Sequence, residues 1–129
     1  MGQAVSMAAG EGRPRRIFHI AFERDWKVAR AAGSYEVSTR GLSLGEVGFI
    51  HAGFERQVES VGSTVYSDVT EPLVVLVIDT GRLEAPLLVE DVEGSHDVFP
   101  HIYGPLNIDA VVDVRPAGMS GAAFRVGGS

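Results

Sequence analysis

The side chains best suited to chemistry in this sequence are histidines, and three of the four sit in short, otherwise apolar segments. His19 lies inside RIFHI, His51 ends GFIH and His101 stands in FPHIYGPL, whereas His96, in EGSHD, reads as an exposed loop residue. Imidazole titrates close to neutral pH, so several converging on one cleft suit proton transfer or hydrogen bonding to a polar ligand. Residues 99–106 form the most specific piece. Pro100 and Pro105 fix φ at two points while Gly104 frees one, so a stiffened loop presents His101 and Tyr103 at low entropic cost. Strand alternation places Ile17 with His19, and Phe49 with His51, so one sheet can aim both imidazoles into the same cleft. The expected site is therefore His19, His51 and His101, with Trp26, Ser43, Tyr103 and Glu90 at its edge. Three histidines and a carboxylate also raise zinc, but no pair has the HExxH spacing, and the absence of Cys removes thiolate zinc sites, iron–sulfur clusters and cysteine nucleophiles. No metal is expected.

The elements that must hold these residues are readable from period and punctuation. Residues 16–20 form a short strand after Pro14. Phe22, Trp26 and Ala29 share one face of a helix that Gly33 ends. Residues 38–47 read as a polar loop, and 48–51 as a strand. Phe54, Val58, Val61 and Val65 mark a second amphipathic helix facing the sheet. LVVLVI at 73–78 is a strand covered on both faces. Residues 87–90 and 108–115 are further strands, the latter alternating Ile108, Ala110, Val112 and Val114 against Asp109, Asp113 and Arg115, with Pro116 ending it. The fold class is α+β, with a mixed, mostly antiparallel sheet and two helices in the N-terminal half.

At 129 residues the chain fits one domain. Residues 1–14 read as a disordered leader, 15–117 as the domain and 118–129 as a flexible tail. A formal net charge of −6 argues against binding a nucleic-acid duplex, and no apolar run is long enough to cross a bilayer. The composition is that of a cytoplasmic protein, with a small-molecule ligand as the expected partner; oligomeric state is not encoded legibly.

IFHI with Trp26 after it, Ser43-Leu44 followed by GFIH, LVVLVID, Glu90 and FPHIYGPLNIDAVV together resemble a bacterial family catalogued as domain of unknown function 952, across about residues 16–115. Where that family usually carries hydroxyl or thiol residues, this chain has Ala21 and Ala52-Gly53. The resemblance implies a fold like that of the ADP-ribosyltransferases, which pinch a nicotinamide dinucleotide between two small sheets. It implies NAD or a related nucleotide as ligand, with Arg16, Arg24 and Arg40 as nearby cations. His19 would hydrogen-bond a ribose hydroxyl, and an aromatic or His51 would meet the nicotinamide. A carboxylate, Glu90, would stabilise the oxocarbenium-like charge, with His101 as the other candidate for the third position. The alternative is a module that binds a metabolite or partner without turnover.

Overall fold

The computed structural model describes Ala4–Ser6 and residues 15–127. In chain order the elements are β1 (Ala4–Ser6), β2 (Arg16–Phe22), α1 (Glu23–Ala32), β3 (Ser34–Tyr35), α2 (Leu44–Val47), β4 (Ile50–His51), a 3-10 turn at Glu55–Gln57, α3 (Val58–Val65), β5 (Leu73–Asp79), β6 (Leu87–Val92), β7 (Asp97–Ile102), β8 (Leu106–Asn107), a 3-10 turn at Ile108–Ala110, β9 (Val111–Ser120) and β10 (Ala123–Val126). They form two four-stranded sheets, ordered β10-β9-β5-β2 and β1-β6-β7-β4, and a short β3-β8 pair. Among the described residues every strand pairing is antiparallel. None of their helices is long and apolar enough to cross a membrane.

The sheets meet at one seam. Phe18 of β2 and Gly53, just past β4, exchange both backbone hydrogen bonds, at 2.8 and 2.7 Å. The free edge of the first sheet is thus continued by chain leaving the second.

Why β5 reads as an unbroken apolar run is plain from its neighbours. Val74, Leu76 and Ile78 enter a core shared with Ile17, Trp26, Tyr35, Ile50 and Ile102. Leu73, Val75 and Val77 enter a second core with Phe18, Val58, Tyr66 and Phe124, against which Val61 and Val65 also pack. Both faces of β2 are therefore covered as well. Gly33 closes α1 at a φ of 92°, a conformation that costs glycine little.

The structure corrects several expectations. The stretch 118–129 is no loose tail, because 118–120 complete β9 and Ala123–Val126 pair with it as β10, burying Phe124 completely; residues 128 and 129 lie outside the described residues. Of the expected leader 1–14, Ala4–Ser6 pairs with β6, and the rest lies outside the described residues. Pro116 does not end β9, nor does Pro100 keep residues 97–102 out of a strand. An antiparallel residue points its N–H and C=O to the same side. The carbonyl of Pro116 accepts from Gly127 N, and that of Pro100 from Ala52 N, so the missing N–H of each faces the spent end of a short neighbour and not a long ladder. The alternation over 108–115 is broken by the 3-10 turn and by a bulge opposite Val77 and Ile78, which leaves Val112 exposed while Val111 and Val114 pack inward. The polar loop 38–47 contains α2, capped by Ser43.

Helix α3 approaches β10 so closely that a Cβ added at Gly62 would lie 2.2 Å from the Phe124 ring. Gly62→Ala therefore forces a fully buried aromatic out of place. It should lower stability by about 1–3 kcal/mol in chemical denaturation, despite the better helix propensity of alanine.

Candidate functional site: a cleft walled by two sheets and a helix

A cleft of about 670 Å3 opens between the seam, α3 and the face of β6 and β7 that carries Val92, Asp97 and Phe99. His19 and His51 both border it, with Phe18, Ser38, Thr39, Arg56, Gln57 and Tyr66 among its other walls. Its size is that of a small-molecule site.

The two histidines play different parts. His19 points from β2 into the first core and is 2% exposed. A carbonyl only accepts, so its Nδ1–H donates to the backbone oxygen of His51, and its bare Nε2 accepts from the Tyr35 hydroxyl at 2.8 Å. Both ring nitrogens are thereby used inside the protein, and no lone pair or proton is left for a ribose hydroxyl. Burial lowers the His19 pKa to about 4 and raises that of Tyr35, so the ring is neutral and the phenol keeps its proton. His51, half-buried, is the imidazole that faces the cleft. Burial and the neighbouring His101 lower its pKa to about 4.

His101 is brought beside His51 but does not line the cleft. The two are register partners on β4 and β7, with ring centroids 4.6 Å apart in an edge-to-face arrangement. Phe49 stacks on the His101 ring at 4.1 Å and also lies 5.3 Å from the His51 ring, so the three rings form one cluster. His101 Nδ1 lies 2.8 Å from Glu90 Oε1, which also accepts from the Tyr103 hydroxyl. The carboxylate fixes the Nδ1–H tautomer and leaves Nε2 as a buried acceptor with no hydrogen-bond partner. Burial lowers the His101 pKa, against the pull of Glu90. At Glu90 burial acts to raise the pKa, but the Tyr103 and His101 hydrogen bonds outweigh it and hold the carboxyl below its usual value. Tyr103 is pushed up to about 12 by burial and by Glu90.

Two expected edge residues are engaged elsewhere. Trp26 is in the first core near Tyr35, with centroids 6.5 Å apart. Ser43 caps α2, accepting from Glu46 N at 3.1 Å while its own N–H donates to Glu46 Oε1 at 2.9 Å. Among the described residues no cluster of three His, Cys, Asp or Glu is arranged to hold a metal.

Other cleft residues escaped the sequence reading. Arg56 donates to Asp97 at 2.9 and 3.1 Å, and Gln57 donates to Asp97 and to the Val98 carbonyl at 2.9 and 2.8 Å. The reading of 38–47 as a polar loop gave no hint that Ser38 is completely buried with an unpartnered hydroxyl. Thr39 and the N–H of Arg40 reach the Tyr66 hydroxyl at 3.3 and 3.1 Å, which ties this turn to the end of α3.

The fold and cleft define a class: a small antiparallel α+β domain with a histidine-bordered pocket at the junction of two sheets. Within that class the chain belongs to the DUF952 family, described as protein of unknown function, whose model matches residues 20–114. It is similar to protein CC0527 of Caulobacter crescentus. The crystal structure of that protein superimposes with a TM-score of 0.68 at 23% identity, covering 85% of this chain and 93% of that one. The solution NMR structure of CC0527 gives 0.62 at 22% identity, over 86% and 91%. At such identity the likeness shows the fold alone. No curated protein sequence matches the chain.

The lowered imidazoles tie stability to pH. A folded pKa near 4 for His19 and His51 against about 6.5 unfolded means the unfolded chain binds more protons between those values. Stability is complete above pH 6.5 and is lost as pH falls through this window, by about 3 kcal/mol for His19 alone. Urea midpoints should therefore drop between pH 7 and pH 4.5, and His19→Gln should flatten that dependence while lowering the midpoint at pH 7.

Proposed function

We propose that this domain binds a small molecule of nucleoside or nucleotide size in the His51 cleft. The observation that carries the reading is Ser38. Its hydroxyl is buried in the cleft wall without a partner, a costly state unless something else completes it. A neutral His51 on the same cleft offers one donor and one acceptor, and Phe99, half-buried, lies with its ring centroid 6.3 Å from that of His51. Such a lining suits a flat, hydrogen-bonding ligand. An NAD-like molecule, the ligand implied by the resemblance to ADP-ribosyltransferases, offers two such heterocycles but joins them through a pyrophosphate.

Glycosidic-bond chemistry on such a nucleotide is the second reading, favoured by the Glu90–His101 pair one strand from His51. It asks more of the protein. Glu90 is held by His101 and Tyr103 outside the cleft wall, so it would have to leave both to face a developing positive charge. Binding without turnover needs no such step.

The test is a nucleoside and nucleotide thermal-shift screen, with mass spectrometry of small molecules released from the purified protein. Ligand at 100 times its Kd adds about 2.7 kcal/mol, a shift of several degrees. Ser38→Ala should leave the ligand-free melting temperature unchanged or higher, since it removes an unsatisfied group, while weakening the ligand by about 1 kcal/mol. A Ser38→Ala protein that loses stability but keeps full affinity would assign that hydroxyl to the fold and overturn the reading.

A further inference from the structure

Resting on this reading of the cleft, we infer that its ligand is an uncharged heterocycle, a nucleoside or free base, and that phosphorylated forms are excluded. A phosphate-binding site needs cations or backbone N–H groups with nothing else to satisfy. Among the described residues the one cation bordering this cleft is Arg56, and its guanidinium is already engaged by both oxygens of Asp97, at 2.9 and 3.1 Å. Asp97 also borders the cleft, so the mouth presents a closed ion pair with no net charge. Gln57 tightens that pair by donating to the same carboxylate at 2.9 Å, and it spends its remaining capacity on Val98 O and Phe54 N.

The cations expected to meet a pyrophosphate are elsewhere. Arg40 is bound to Asp68 at 2.7 Å and to the Val65 carbonyl at 3.0 Å, on the outer side of the turn that carries Ser38. Arg24 is paired with Glu71 and lies over the Phe22 ring, with its guanidinium carbon 4.6 Å from the centroid. Neither it nor Arg16 borders the cleft. The helix behind the cleft is no anion site either. Its first turn continues the 3-10 turn Glu55–Gln57, where the Phe54 N–H donates to Gln57 Oε1 and the Gln57 N–H to the Phe54 carbonyl, each at 2.9 Å.

What the cleft does offer is neutral. His51 and His19 carry no charge, and Ser38 and Thr39 bring hydroxyls, while Phe18, Phe99 and Val61 supply apolar surface. The whole chain bears −6, which adds a field that repels anions. A phosphate entering here would break the Arg56–Asp97 pair or be buried without one of its own, and either is expensive.

The experiment uses the full chain and four matched pairs of probes: adenosine, guanosine, cytidine and uridine, each against its 5′-monophosphate. Affinities come from calorimetry, and occupancy of the cleft from NMR shifts of the His51 ring. At least one nucleoside should bind, its monophosphate roughly tenfold or more weakly, since an unpaired charge is costly to bury. Nucleoside affinity should change less than twofold between roughly 0.05 M and roughly 0.5 M salt, as expected where no ion pairing with the ligand is involved. Asp97→Asn, which frees Arg56, should bring the monophosphate to within about twofold of its nucleoside or past it. Should that variant unfold, the wild-type pairs and the salt series still decide. A monophosphate that binds wild-type protein as tightly as its nucleoside overturns this inference and leaves the cleft reading standing. If no probe binds or shifts His51, the cleft reading falls and takes the inference with it.

Discussion

The structure depends on the His19 imidazole. β4 is two residues long and pairs with β7 at two register positions, too little to fix a strand by itself. What locks it in place is the other sheet, through the backbone exchange between Phe18 and Gly53 and through His19 Nδ1–H donating to the His51 carbonyl. The tyrosine behind the ring completes the clamp, because only a neutral imidazole has a lone pair for the Tyr35 hydroxyl. The histidine that the family resemblance assigned to a ribose hydroxyl is therefore the one that aims another histidine at the cleft.

This division runs through the whole region. Most polar groups around the cleft are used up by their neighbours: Gln57 and Arg56 by Asp97, Tyr66 by the 38–42 turn, Tyr103 and His101 by Glu90. Against that background two buried side-chain atoms without partners stand out among the described residues, Ser38 Oγ and His101 Nε2. The first is in the cleft wall. The second is one strand away, sealed by Phe49. Buried polar groups are so regularly satisfied in folded proteins that a leftover is informative about what the site meets.

Much of this was legible from the residues. The apolar run of β5, the Gly33 stop and the valine face of α3 all express one local period and one packing partner each. FPHIYGPL, by contrast, reads as a stiff loop, and its pairing as β7 against the GFIH strand is a long-range register that no local period expresses. The rest was not local. Pro100 and Pro116 signal breaks, and only the direction of their carbonyls shows that the ladder survives them. Ser43 is an exception, since Ser43 and Glu46 three positions on spell a capping box locally, and the residue was nonetheless assigned to the pocket. Arg56 and Asp97 are 41 positions apart and each reads as an ordinary surface charge. Ser38 carries no signal at all, because nothing in the polar stretch 38–47 marks it as the buried residue. The glycine- and serine-rich composition of 118–129 hid Phe124, whose one large ring outweighs its small neighbours.

That ring has a further consequence. Phe124 lies against Gly62 and fills the second core, and β10 is joined to α3 by a hydrogen bond from Phe124 N to Ser63 Oγ at 3.0 Å. During synthesis the chain emerges from its N-terminus, so α3 must wait some sixty residues, and the valines of β5 about fifty, before their covering ring arrives. Loop closure over such a span is slow. The helix that walls the cleft is thus a part of the molecule that matures late on the ribosome, held until then by β2 and the 3-10 turn before it.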